Sequence, residues 1–264
     1  QFLACFEEVA GRDLGAFFRE WLLTAGYPRV TARHRYDAAA RRLTVTLAQT
    51  RRGGEGRPFV VPLEIAALDA QGRDLPQVKG PLVLTQREQT FTFEGVPPFA
   101  FLSYNRGVSF YGTFQDLDAT PEKLALQVRR DPDLLNRIEA QRKLTDLERL
   151  RLLEDAVAAP SPEWCALRAE ILRDETLPPA VAAYLLAVEP QALDRRFLAL
   201  PAQRHPLWVR LQRAAAEACG EEALLAAFRR VDTTRRTEPR SGVAVRLLKG
   251  VLAELLCALG TPAA

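Results

Sequence analysis

The stretch FFREWLLTAGYPRV, Phe17 to Val30, decides the fold because it holds the end of a helix and the start of a strand. Leu14, Phe17, Phe18, Trp21 and Leu22 fall at i, i+3, i+4, i+7 and i+8, the spacing of one apolar helical stripe. Asp13 stands where an N-cap accepts from first-turn amides, Gly26 where a helix closes on a left-handed residue, and Pro28 cannot continue a helix. Upstream, Phe2, Cys5, Phe6 and Val9 predict another short helix already under way at Gln1. Two such stripes bury little by themselves, and the 264 residues contain no methionine, so the chain is expected to start inside a larger protein.

Downstream of Tyr27 the pattern is β as far as Phe114. LTVTLAQT, Leu43 to Thr50, alternates Leu43, Val45 and Leu47 with Thr44, Thr46 and Ala48. FVVPLEIAAL, Phe59 to Leu68, is another strand region whose Pro62 implies an edge or a bulge. PLVLT, QTFTFEG and FAFLSYN follow, with Phe91 and Phe93 sharing one face and Phe99 and Phe101 sharing one face of the next strand; VSFYGTF closes the block. RRGGEGRP, DAQGRD and EGVPP mark turns between them. Short strands at regular spacing, without helical insertions, predict a small antiparallel β-sandwich.

After Asp116 the pattern becomes helical. Thr120-Pro121 is an N-cap followed by proline at the first helical position, and Asp131-Pro132 and Ser161-Pro162 repeat the signal. LLNRIEAQRKLTDLERLRLLEDAVA is expected to be one long amphipathic helix ending near Pro160, and five further helical segments run to Gly260, one of them starting at His205-Pro206. Helices of this length with short, proline-marked connections predict stacked helical hairpins, with Trp164, Tyr184 and Trp208 packed between neighbours and no strict repeat in the sequence. The fold class is therefore an antiparallel β-sandwich followed by an all-α superhelical domain: residues 1–26 a helical tail, 27–115 the sandwich, 116–264 the helices.

Composition narrows the classes of function. A net charge of +3 is too mild to argue for nucleic acid, and the 48% hydrophobic content includes no apolar run long enough to span a membrane. The basic residues are nearly all arginine, with lysine only at Lys79, Lys123, Lys143 and Lys249, a skew that fits a GC-rich genome. Cys5, Cys165, Cys219 and Cys257 are far apart and form no C-x-x-C pair, which predicts buried free thiols and a cytoplasmic location.

Residues that could carry chemistry are few. The histidines are His34 and His205, neither in an H-E-x-x-H motif; both are expected to be structural or solvated, since a metal needs three or four convergent ligands. RRGGEGRP lies between strands and reads as a hairpin loop. RRVDTTRRTEPRSG places Arg229, Arg230, Arg235, Arg236 and Arg240 in one connector, a solvated loop or a partner site. The adjacent carboxylates Glu154/Asp155 and Glu221/Glu222 point apart on helix surfaces. No catalytic, cofactor-binding or metal-binding residue is therefore assigned.

The order F-x-x-x-W-x-x-x-x-G-Y-P at a helix end (Phe17, Trp21, Gly26, Tyr27, Pro28), then a sandwich, then helices, resembles the C-terminal half of an aminopeptidase N-type zinc metallopeptidase of the gluzincin kind. VLTQREQTFTFEGV, TLPPAVAAYLLAVE and RLLKGVLAELLCALG are similar to its later parts. The resemblance implies a bacterial parent that removes N-terminal residues from peptides, with its H-E-x-x-H zinc site upstream of Gln1. Residues 1–26 would then end the catalytic domain, the sandwich would be a spacer, and the helices a truncated cap over the cavity. The partners implied are that catalytic domain and peptide substrates, not nucleic acid or membrane. The segment itself is expected to bind no stoichiometric zinc and to cleave no aminoacyl substrate. A stand-alone interaction scaffold with the same architecture is the alternative.

Overall fold

The computed structural model describes residues 2–54, 56–190, 201–231 and 239–260. The chain divides into two compact units, Gln1–Asn136 and Arg137–Ala264.

The first unit opens with helix α1 (Phe2–Ala10) and helix α2 (Gly15–Phe18), which runs directly into a π-helical turn, Arg19–Leu23. The single apolar stripe expected here is broken by that turn. Its wider winding lets Trp21 reach the sandwich core while Leu22 and Leu23 turn outward. Asp13 does accept from the Gly15 amide at 2.7 Å, although Leu14 occupies the cap position. Gly26 does not cap the helix, which ends at Leu23. Its φ of +99° carries the chain so close to the next hairpin that a Cβ would lie 2.5 Å from the Arg52 carbonyl oxygen.

Among the described residues eight strands follow: β1 (Tyr27–Asp37), β2 (Arg42–Arg52), β3 (Val61–Leu63), β4 (Ile65–Leu68), β5 (Leu82–Leu84), β6 (Glu88–Phe93), β7 (Phe101–Tyr104) and β8 (Thr113–Asp116). One sheet has the order β6-β2-β1-β8; β3 pairs with β5 and β4 with β7. Pairing is antiparallel except between β1 and β8, which run parallel with Val30 opposite Phe114 and Ala32 opposite Asp116. Leu43, Val45 and Leu47 of β2 point inward as their alternation predicts, packing with Val61, Leu63, Leu84 and Leu102. Pro62 lies on β3, which pairs with β5 alone, so its missing N–H costs no ladder bond. Phe99 and Phe101 do not share a face. Phe99 precedes β7 and packs on Tyr36, whereas Phe101 joins Ala66, Leu68 and Leu126 in a smaller cluster beneath helix α3 (Pro121–Arg130).

Thr120 caps α3 through the Lys123 amide. Helix α4 (Leu134–Glu154) starts one signal later than expected: Asp133 accepts from the Leu135 and Asn136 amides, while Asp131 closes α3 and sits buried beside Arg106. The second unit begins within α4 and continues with α5 (Pro162–Arg173), α6 (Pro179–Leu186), α7 (Pro201–Cys219), α8 (Glu221–Arg230) and α9 (Pro239–Ala258). Ser161 caps α5 through the Trp164 amide. Helix α7 starts at Pro201, so His205-Pro206 lies inside it rather than at its start.

Three further expectations are corrected. α4 is not a simple amphipathic helix, because Gln141, Thr145, Asp146, Glu148 and Arg149 are all buried. Trp164 is buried and Trp208 half-buried, but Tyr184 is 43% exposed. Of the four thiols, all free, only Cys219 is buried; Cys5 and Cys257 are exposed.

Trp21 joins the N-terminal helices to the sandwich: its ring lies 4.8 Å from Phe59 and its indole N–H donates to the Val60 carbonyl at 2.8 Å. Trp21→Ala is expected to cost about 3 kcal/mol, the lower end for losing a packed aromatic. Urea denaturation followed by circular dichroism measures it, and a loss within about 0.5 kcal/mol, as for a free surface residue, contradicts the assignment.

Candidate functional site

Three clusters of functional side chains stand out, the first at the junction of α1, α2 and the sandwich. Its hub is Phe59, whose main chain is clamped at both ends by Gln49: the amide oxygen accepts from Phe59 N–H at 2.9 Å and the amide nitrogen donates to Phe59 O at 2.9 Å. Arg51 lies over the Phe59 ring at 3.9 Å and pairs with Glu20 of the π-helical turn, both side chains more than nine-tenths buried. Arg51 also donates to the carbonyls of Ala25 (2.8 Å) and Arg57 (3.0 Å), so the guanidinium ties the turn, the β1 entry and the β2 exit together. On the other side of this anchor Phe2, Phe6 and Phe18 pack with steeply inclined rings at 4.8–6.1 Å between ring centres. That side is nevertheless open: Phe2, Phe6, Val9, Leu22 and Leu23 are all exposed, Val9 by 91%. Exposed apolar side chains grouped in this way are a feature of interaction surfaces.

The second cluster is His34, Asp116 and Asp118. Parallel pairing of β8 with β1 sets Asp116 opposite Ala32, and Leu117 N–H then bonds Ala32 O at 2.9 Å, which brings Asp118 to His34. The His34 amide donates to Asp118 Oδ2 at 2.7 Å, and the Asp118 amide to Asp116 Oδ1 at 2.9 Å. His34 Nδ1 lies 3.3 Å from Asp118 Oδ2 without the alignment of a hydrogen bond. Burial pushes the His34 imidazole below its usual pKa, with Lys123 adding to the effect, and burial pushes the Asp116 carboxyl up. Tyr104, 5% exposed, has a hydroxyl without a hydrogen-bond partner; burial and the two nearby carboxylates push its pKa far up.

The third lies in the second unit. Arg168, fully buried on α5, donates to the carbonyls of Leu186 (3.1 Å) and Ala187 (3.2 Å) at the end of α6 and to Thr145 Oγ1 at 2.9 Å, with Trp164 4.5 Å away. Among the described residues no carboxylate pairs with it, and the unpaired carbonyls of a helix C-terminus supply the compensating negative end. Only arginine's planar fork reaches several carbonyls at once. Its role is structural, organising the α4–α5–α6 packing.

Residues singled out in the sequence fall elsewhere. His205 is exposed beside Trp208, Arg230 pairs with Glu175 at the surface, and Arg229 is exposed. Arg235, Arg236 and the Arg240 side chain lie outside the described residues. The sequence contains no H-E-x-x-H motif, so no residue here is assigned to the catalytic zinc that the family implies. His34 was recognisable only as a lone histidine, because its two carboxylate neighbours are 82 and 84 residues further along the chain.

An immunoglobulin-like sandwich followed by a helical repeat domain defines the class of protein. Two family models match in that order: "Domain of unknown function (DUF3458) Ig-like fold" over residues 26–117 and "Domain of unknown function (DUF3458_C) ARM repeats" over residues 121–264. The chain belongs to this family and comprises the domains that form the C-terminal part of aminopeptidase N. It is 34% identical over 195 residues to aminopeptidase N of Caulobacter vibrioides, covering 71% of this chain and 22% of that one. To the puromycin-sensitive aminopeptidase of Caenorhabditis elegans it is 26% identical over 151 residues, 57% of this chain and 15% of that one. The crystal structure of Legionella pneumophila aminopeptidase A with aspartic acid shares the fold, with a TM-score of 0.79 at 20% identity over 98% of this chain and 31% of that one. The chain thus spans less than a quarter of the length of either curated relative.

Breaking the Glu20–Arg51 pair from one side strands a buried charge, so Glu20→Ala is expected to lower stability by about 3 kcal/mol. The double variant Glu20→Leu/Arg51→Met should lose clearly less than the two single variants added together. A double-mutant cycle by chemical denaturation checks this, and additive losses would show that the charges do not interact.

Proposed function

We propose that this chain is the non-catalytic carboxy-terminal portion of a bacterial zinc aminopeptidase whose whole protein hydrolyses N-terminal residues from peptides. Its partner in that reading is the catalytic part of the same polypeptide, with peptides as the substrates of the whole; nucleic acid and membrane have no part in it. The sandwich serves as a spacer and the helical unit as a cap over the active-site cavity. The names of the relatives support the activity. The observation that carries the reading is the exposed apolar surface of Phe2, Phe6, Val9, Leu22 and Leu23, which is fixed to the sandwich by Trp21 and Arg51. Exposed apolar groups next to the sandwich are what a neighbouring domain of the same polypeptide would cover. Free thiols support a cytoplasmic location, and among the described residues no helix is long and apolar enough to cross a membrane.

The test compares the same two substitutions in two settings. In the whole aminopeptidase, Val9→Asp with Leu23→Asp is expected to lower kcat/KM for an aminoacyl reporter at least about tenfold, about 1.4 kcal/mol of transition-state stabilisation. In this chain alone the same pair should leave Tm nearly unchanged, because both side chains are already exposed. Unaltered kcat/KM would remove the docking role, and turnover of the reporter by this chain alone would overturn the non-catalytic reading.

A further inference from the structure

Where the chain leaves the sandwich, at the β1–β8 edge, three potential ligands converge: one donor atom each from His34, Asp116 and Asp118 lies within 4.8 Å of the other two. All three residues are partly buried. Two partly buried carboxylates and an imidazole gathered this closely are costly unless something cationic binds them. Lys123 offsets part of this through its charge near Asp116, but its ammonium donates to the Asp118 main-chain carbonyl at 3.2 Å. Each aspartate has one oxygen fixed by a backbone amide, which orients the carboxylate and leaves its second oxygen available. Such outer bonds are the kind that hold metal ligands in place.

An independent observation points to a ligand here. Tyr104, on β7, is 5% exposed and its hydroxyl has no hydrogen-bond partner, yet it lies close enough to Asp116 and Asp118 to feel both charges. A buried hydroxyl is rarely left unpaired, and a water bound to a cation between the carboxylates would pair it. His34 Nδ1, also buried and unpaired, faces the same place.

We propose that His34, Asp116 and Asp118 bind a divalent transition-metal ion of the zinc type, with a water on its fourth position against the Tyr104 hydroxyl. One imidazole nitrogen and two carboxylate oxygens suit zinc, whose ligands at about 2.0–2.2 Å leave room for a water in a tetrahedral site. The ion pins β8 and the α3 entry to β1 and takes no part in peptide hydrolysis, and the site stands independently of the function proposed above. It differs from the sequence-based expectation that His34 is structural or solvated and that this segment binds no stoichiometric zinc, and the titration below decides between them.

The test uses the full chain with Cys5→Ser and Cys257→Ser to remove the exposed thiols. After EDTA treatment and dialysis, titration with zinc chloride is expected to show one saturable site per chain and a Tm that rises with free zinc. X-ray absorption at the zinc edge should show only nitrogen and oxygen neighbours, with imidazole scattering. His34→Gln and Asp118→Asn, the latter keeping an oxygen for the His34 amide, should each weaken binding at least tenfold, whereas His205→Ala leaves it unchanged. Absence of saturable binding, a sulfur neighbour, or affinity that survives His34→Gln overturns the assignment. The absorption spectrum decides the matter even where a variant fails to fold.

Discussion

The structure depends on the parallel pairing of β8 with β1. Parallel neighbours cannot be joined by a hairpin; the chain needs a long connection to come back in the same direction. Here that connection is nearly the whole sandwich, from β2 through β7. β1 is thereby enclosed, by β2 on one side and β8 on the other, and the chain is delivered to α3 beside the strand on which the sandwich began. The same pairing gives Asp116 and Asp118 their place beside His34.

Local rules in this chain were legible where both partners sit within one turn. Thr120 and Ser161 cap their helices through an amide three residues on, as their position before proline implies. The alternation of β2 sorted its inward residues correctly, and Pro62 fell on a strand with a single partner. Legibility failed where the deciding partner is remote. Asp131 and Asp133 look alike in sequence, but Arg106, more than twenty residues earlier, stands beside Asp131 and leaves Asp133 to start α4. The π-helical turn, which sends Trp21 and Leu22 to different surroundings, has no signature in an apolar stripe read at 3.6 residues per turn. Arg168 lay in a segment whose neighbours read as ordinary helix, and its value comes from carbonyls exposed only when α6 ends. The same limit hid the His34 cluster, assembled by strand order from both ends of the sandwich.

The two units solve burial by different means. The sandwich core is almost purely aliphatic and aromatic, with Gln49 as the polar clamp that fixes Phe59. The helical unit buries charge and amide along α4 and satisfies it with the main chain of other helices, as Arg168 does at the end of α6. An apolar core tolerates exchange among shapes of equal volume, whereas a buried polar network requires every donor to find its acceptor. Arg168 and Thr145 are thus less replaceable than the leucines around them.

The parallel edge also has a mechanical consequence. β1 is attached at its start to the π-helical turn and β8 at its end to α3, so tension along the polypeptide pulls the two strands in opposite directions along their length. Their four facing residue pairs, Arg29 with Thr113 through Ala32 with Asp116, are then loaded in shear and give way together rather than unzipping singly.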